Sequence, residues 1–135
     1  MDRVPTVDAR PGAAISFLQK ATEFAAEAQD ALDRGRLQAA ASLACHAVIS
    51  GADALLAKRR GIRSKDPSHE GGLRLVAALP MRGAPEKAAA AAKVLEIKHR
   101  AEYDDRGVTR READDAVKRA ARFLAWVEEA LGSSR

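Results

Sequence analysis

Apolar residues recur at three- and four-residue steps along most of the chain, which is the helical period. From Ala13 onward, Ile15, Leu18, Ala21, Ala25, Ala28 and Leu32 fall on one face, with Glu23, Glu27 and Asp30 elsewhere around the axis. Gly35 supplies a stop, because glycine takes the left-handed cap conformation without steric cost. A second helix is predicted from about Arg36 to Arg59, with Leu37, Ala41, Ala44, Val48, Ala52 and Leu55 as its buried stripe. Gly51 lies inside it at a cost of about 1 kcal/mol against alanine, so a neighbouring helix is expected to pass close by. So short a connection makes the pair an antiparallel hairpin.

Asp66 as cap and Pro67 at the first position predict a short third helix. It runs to about Leu79, with Leu73, Val76 and Leu79 apolar, and Pro80 and Gly83 end it. A fourth helix begins at Pro85, carries Ala88, Ala91, Leu95, Lys98 and Glu102 on one face, and breaks at Gly107. Thr109-Arg110-Arg111-Glu112 has the form of a capping box. The fifth helix follows, with Ala113, Val117, Ala120, Leu124, Val127 and Leu131 in line and Phe123 and Trp126 flanking. Residues 1–12, with Pro5, Pro11 and Gly12, show no period and read as a flexible arm. The expected architecture is all-α: one domain over 13–131, an up-down bundle of four long helices plus one short helix.

Composition narrows this further. A chain of 135 residues fits one domain with its own core. Aromatics make up only 4% and alanine supplies much of the apolar content, which suits close-packed helices and not sheets. The single cysteine, Cys45, excludes an internal disulfide and a multi-cysteine metal site, and its neighbours Ala44, Ala47 and Val48 suggest a buried structural thiol. No apolar run approaches the roughly 18 residues that span a bilayer, and Met1–Arg10 lacks the apolar stretch of a signal peptide. A cytoplasmic protein without a membrane partner is therefore expected. The net charge of +4 favours anionic partners such as RNA. The 19 acidic residues set against 23 basic ones leave a solvated mixed-charge surface as the plain alternative.

No zinc spacing, phosphate-binding loop, dinucleotide fingerprint or His-Glu-x-x-His helix is present, so neither metal nor cofactor is expected. The leads are polar residues on helical faces. His46, Ser50 and Asp53 share a face of the second helix. Asp53 sits in the apolar run Gly51-Ala52-Asp53-Ala54-Leu55-Leu56 and needs a partner if it is buried. Lys98, on the inward stripe of the fourth helix, is the expected one, as a structural pair or as a pocket wall. The run Lys98-His99-Arg100-Ala101-Glu102-Tyr103-Asp104-Asp105 is dense in charge and holds the only tyrosine. His99 and Tyr103 share a face, whereas Lys98 and Tyr103 stand about 140° apart on an ideal helix. Lys58, Arg59, Arg60, Arg63 and Lys65 cluster around Gly61, either complementing a helix C-terminus or contacting phosphate.

The hairpin ending in GADALLAKRRGIR, then DPSHEG, then EIKHRAEYDDRGVTRREADDAVKRAARFLAWVEEAL, resembles the HEPN domain over about residues 13–131. HEPN domains are compact helical bundles of bacterial toxin–antitoxin and other defence systems. Many are metal-independent ribonucleases with an Arg-x(4–6)-His signature, in which histidine moves a proton of the 2′-hydroxyl and arginine holds the charge developing on phosphate. The resemblance also implies a homodimer with a shared cleft, and a nucleotidyltransferase antitoxin that modifies a HEPN tyrosine, here Tyr103. On the fourth helix, Lys98 stands where the signature arginine would be and Tyr103 where the histidine would be. A tyrosine, with a reference pKa of about 10, is a poor base at neutral pH. The literal spacing runs from Arg63, in the loop before the third helix, to His69 at the start of that helix.

The expectation is an RNA-directed HEPN protein with a degenerate ribonuclease signature. Lys98, His99, Tyr103 and Asp53 are its candidate catalytic residues, and His46, His69, Arg63, Arg100 and Glu102 its candidate binding residues. Two alternatives stay open. One is a non-catalytic interaction or nucleotide-binding module. The other is a generic basic bundle contacting nucleic acid through Arg110, Arg111, Lys118, Arg119 and Arg122.

Overall fold

The computed structural model describes residues 3–132. Five helices account for most of it: α1 (Ala13–Asp33), α2 (Leu37–Arg60), α3 (Glu70–Ala77), α4 (Ala84–Tyr103) and α5 (Arg110–Gly132). The all-α bundle with four long helices and a short one is the architecture found.

Helix α2 is the spine, packed against α1, α5, α4 and α3. An 18-residue window within Leu37–Arg60 has a mean hydropathy of 1.5, enough by length and composition to cross a membrane, so this stretch is more apolar than its pattern suggests. Of that window 72% is buried inside the protein, as befits a core helix. The α1–α2 turn closes as the pattern requires: Gly35 takes φ +72°, and the Arg36 amide donates to the Ala31 carbonyl at 2.8 Å. Gly51 faces α5, where an added Cβ would lie 3.4 Å from the Phe123 ring, so the close approach expected there is real. The capping box of α5 forms reciprocally, Glu112 N–H donating to Thr109 Oγ1 at 3.1 Å and Thr109 N–H to Glu112 Oε1 at 3.0 Å.

Three sequence expectations fail locally. Ile15 falls on the apolar stripe of α1 but is 67% exposed, in an open cleft between the start of α1 and the ends of α2 and α5. Residues 1–12 lack a period of their own and read as a flexible arm, yet among the described residues of this stretch Thr6–Asp8 forms a strand, β1, antiparallel to β2 (Ile62–Ser64), with Val7 opposite Arg63. Gly61, at φ +66°, ends α2 in the left-handed cap and turns the chain back toward this strand. Backbone bonds at both ends extend the ribbon, from Ala9 N–H to the Gly61 carbonyl and from Lys65 N–H to the Pro5 carbonyl, each 2.8 Å.

The third concerns α3, which does not start at Pro67. Asp66 Oδ1 accepts from the Ser68 amide at 3.1 Å, an Asx turn that competes with helix. Its other oxygen accepts from the Gly71 amide at 2.8 Å. The chain therefore makes a compact turn through Pro67 and Ser68. Helix begins at Glu70, with His69 before it in the left-handed region at φ +65°.

Candidate functional site

The ribbon and the Asx turn carry two side chains to the buried face of α2. Asp53 is only 9% exposed, next to Ser50 at 8% on the same helix. Its expected partner, Lys98, is not the one found. The carboxylate instead lies 3.9 Å from Arg63 Nη2, because β2 doubles back over α2. Lys98 Nζ is held at 2.6 Å by Glu102 Oε1, one turn along its own helix.

Burial pushes the Asp53 carboxyl above its ordinary range, and the charges of Arg63, His69 and Lys20 pull it back part of the way. Asp53, Arg63, Ser64 and His69 line one small cavity of about 50 Å³, closed by Leu73 and Leu95. That space suits water, not a nucleotide. Arg63 and His69 are exposed at its rim, with the buried Asp53 carboxylate behind Arg63.

His69 is held by its turn. Asp66 accepts from the Ser68 amide and hydroxyl and from the Gly71 amide, and pairs with Arg74 at 3.9 Å. The hydrogen bonds from Ser68, within the same turn, hold the Asp66 carboxyl below its usual range. Gly71 is required here: a Cβ would lie 2.5 Å from Asp66 Oδ2 and 2.7 Å from Val4. A non-glycine residue at positive φ is uncommon, although histidine is among those enriched there.

Two further residues belong to this face. The Phe17 ring of α1 lies beneath the Arg63 guanidinium, 5.1 Å from ring centroid to Cζ, and Lys20 Nζ stands 5.7 Å from the same centroid. Neither Phe17 nor Lys20 is singled out by the sequence pattern, since both fall outside the apolar stripe of α1. His46 is solvent-exposed against the Phe24 ring at 5.2 Å, and burial, followed by the charges of Lys98 and His69, lowers its pKa. Cys45 is buried and its thiol is pushed up to about 11, which fits an inert structural residue.

The end of α4 is a separate place. The His99 and Tyr103 rings are in contact, tilted by 59° with centroids 4.9 Å apart, and Tyr103 is 79% exposed. They line an open surface with Arg100, Asp104, Asp105 and Arg106, not the Asp53 cavity. Arg100 bridges Asp104 at 3.1 Å and Glu112, tying α4 to the start of α5. Arg106 also bonds Asp104, and its hydrogen bonds hold that carboxyl down at about 2. Arg100 and Glu102 are thus engaged in ion pairs within the fold. The four expected catalytic residues are divided between two sites: Asp53 in one, His99 and Tyr103 in the other, and Lys98 paired on its own helix. On α5, Lys118 and Arg119 are paired with Asp114 and Asp115 at 2.9 and 2.8 Å, which weakens that helix as a phosphate stripe. Among the described residues no group of three His, Cys, Asp or Glu side chains could hold a metal ion.

The HEPN domain model matches residues 14–130, and the chain belongs to the HEPN family. No curated protein matches it. Among solved structures it is similar to the crystal structure of TT1696 from Thermus thermophilus. That similarity has 25% identity and a TM-score of 0.69, covering 86% of this chain and 96% of that one.

Proposed function

We propose that this HEPN protein acts on RNA, and that its reactive phosphate is met by Arg63 and His69, not by the end of α4. The observation that carries the reading is the shared cavity: Arg63 and His69, with the spacing of the family signature, line it together with the buried Asp53 carboxylate. In this reading His69 takes the proton of a 2′-hydroxyl, whose oxygen forms a new bond to phosphorus. The bond to the 5′-oxygen breaks, and that oxygen leaves with a proton from solvent. Arg63 donates to the phosphoryl oxygens as charge builds on them, and Asp53 fixes the guanidinium from behind.

The test is incubation with transfer RNA in the presence of a chelator. Fragments ending in 2′,3′-cyclic phosphate are expected from the parent and from a Lys98→Ala, His99→Ala double variant, and none from His69→Ala. RNA that is bound but left whole by every variant would reduce the protein to a binder. No binding at low salt would overturn the RNA reading.

One observation favours a second reading, docking of a nucleotidyltransferase partner at the end of α4: Tyr103 is 79% exposed. An adduct of nucleotide mass on Tyr103, seen by mass spectrometry after co-expression with such an enzyme and absent from Tyr103→Phe, is the expected outcome. An unmodified tyrosine counts against it.

A further inference from the structure

Arg63 stands in the wall of two cavities. On its inner side is the Asp53–His69 pocket. On its outer side a cleft of about 270 Å³ runs between β1 and the start of α1, lined by Asp8, Arg10, Ser16, Phe17, Lys20 and Arg63. Three cations face one carboxylate there. Arg10 and Lys20 are exposed, and no ion pair engages either among the described residues. Arg63 and Lys20 are both held over the Phe17 ring, within 5.1 and 5.7 Å of its centroid. An aromatic ring attracts each cation by about 0.5–1 kcal/mol at exposed sites. It does not neutralise them, so Arg10, Lys20 and Arg63 stand beside the Ser16 hydroxyl with Asp8 in the cleft and Asp53, 3.9 Å from Arg63 on its inner side, leaving the cations in excess. The ribbon builds this arrangement: Arg63 is opposite Val7 in the β1–β2 register, which sets it beside the chain that leads from Asp8 through Arg10 into α1.

We infer that this outer cleft is an anion subsite for the phosphate of a nucleotide, held by Arg10, Lys20 and Arg63 with Ser16 as a hydroxyl donor. In an RNA strand it would hold the phosphate next to the one at Arg63 and His69, so this use of the cleft rests on the function proposed above. The same chemistry accepts a free nucleotide. Arg63 couples the two places, since its guanidinium cannot lean toward one phosphate without changing its distance from the other.

The probes are a single-stranded RNA decamer and adenosine 5′-monophosphate, titrated against the full chain over a range of salt. Arg10→Gln and Lys20→Gln change exposed residues, and circular dichroism checks their folding. Each variant is expected to weaken decamer binding regardless of base sequence. Each should also reduce the slope of log affinity against log salt by about 0.7, the share of one phosphate contact on a single strand. Lys20→Arg should restore the slope. If the decamer does not bind the parent but adenosine monophosphate does, and Lys20→Gln weakens it tenfold or more, the cleft stands as a free-nucleotide site and the RNA function falls. If both variants keep the parental affinity and slope for both probes, the subsite is overturned, whatever Arg63→Ala does.

Discussion

Replacing Phe123 with alanine is expected to lower the unfolding free energy by about 3–5 kcal/mol, the range for truncating a buried aromatic ring. The ring is only 2% exposed, on the face of α5 that meets α2. Opposite it is Gly51, whose missing side chain creates the slot the ring fills; a Cβ there would sit 3.4 Å from the ring edge. When the ring is removed, Gly51 has no side chain to enter the space, and Trp126, 5.9 Å away centroid to centroid, already packs beside it. The void therefore persists, which puts the cost in the upper part of the range. Domains are stable by only about 5–15 kcal/mol, so the variant will stand near the edge of folding. Urea denaturation should show a lower midpoint with an unchanged slope. Phe123→Leu, which keeps most of the volume, should cost less than about 1.5 kcal/mol. A loss below about 1 kcal/mol for Phe123→Ala, well under the range for such rings, would mean that Gly51 is not the seat of the ring.

Phe123 also shows how far the sequence can be read. The apolar period sets it beside the buried stripe of α5, not within it, because a helical wheel cannot say how wide the buried face is. Gly51 carries the complementary half of the information: a glycine in a strong helix predicts a close neighbour, but not which one. The helices themselves are legible because their apolar period extends over twenty or so residues. The β1–β2 ribbon is not, because three-residue strands have no period of their own and owe their existence to a partner more than fifty residues away in sequence. Without the ribbon the site is misplaced. The apolar run around Asp53 announces that this carboxylate needs a cation, and the structure supplies one. Lys98 is the one that helical patterning offers, since only the return of β2 over α2 brings Arg63 within reach. The turn before α3 hides His69 in the same way: Asp66-Pro67 has the chemistry of a helix start, but the Asp66 side chain reaches both Ser68 and Gly71 and forms a turn first.

The largest effect on RNA binding is expected from Arg63→Ala. Hydrogen bonds to a charged partner contribute about 1.5–3 kcal/mol, so loss of the guanidinium should weaken RNA binding tenfold or more. The same substitution leaves Asp53 without its nearest cation. Because Arg63 is 48% exposed and the pair is 3.9 Å apart, that loss should cost stability only about 1 kcal/mol or less. The pH dependence separates the two consequences. Burial raises the Asp53 carboxyl above its ordinary 3.8, so the folded chain holds this proton more tightly than the unfolded chain does. Stability therefore falls as pH climbs from 3.8 through the raised folded value, and the full penalty is present above it. Arg63→Ala removes the largest of the pulls that limit the rise, so the falling window should extend to higher pH and the penalty at neutral pH should deepen. Asp53→Asn abolishes the titration altogether and should be more stable than the parent at neutral pH, with the gain vanishing in acid. The double variant Arg63→Ala, Asp53→Asn should then regain the stability lost by Arg63→Ala without regaining RNA affinity. Recovery of both together would mean that Arg63 serves only to neutralise Asp53, and that the phosphate is met elsewhere.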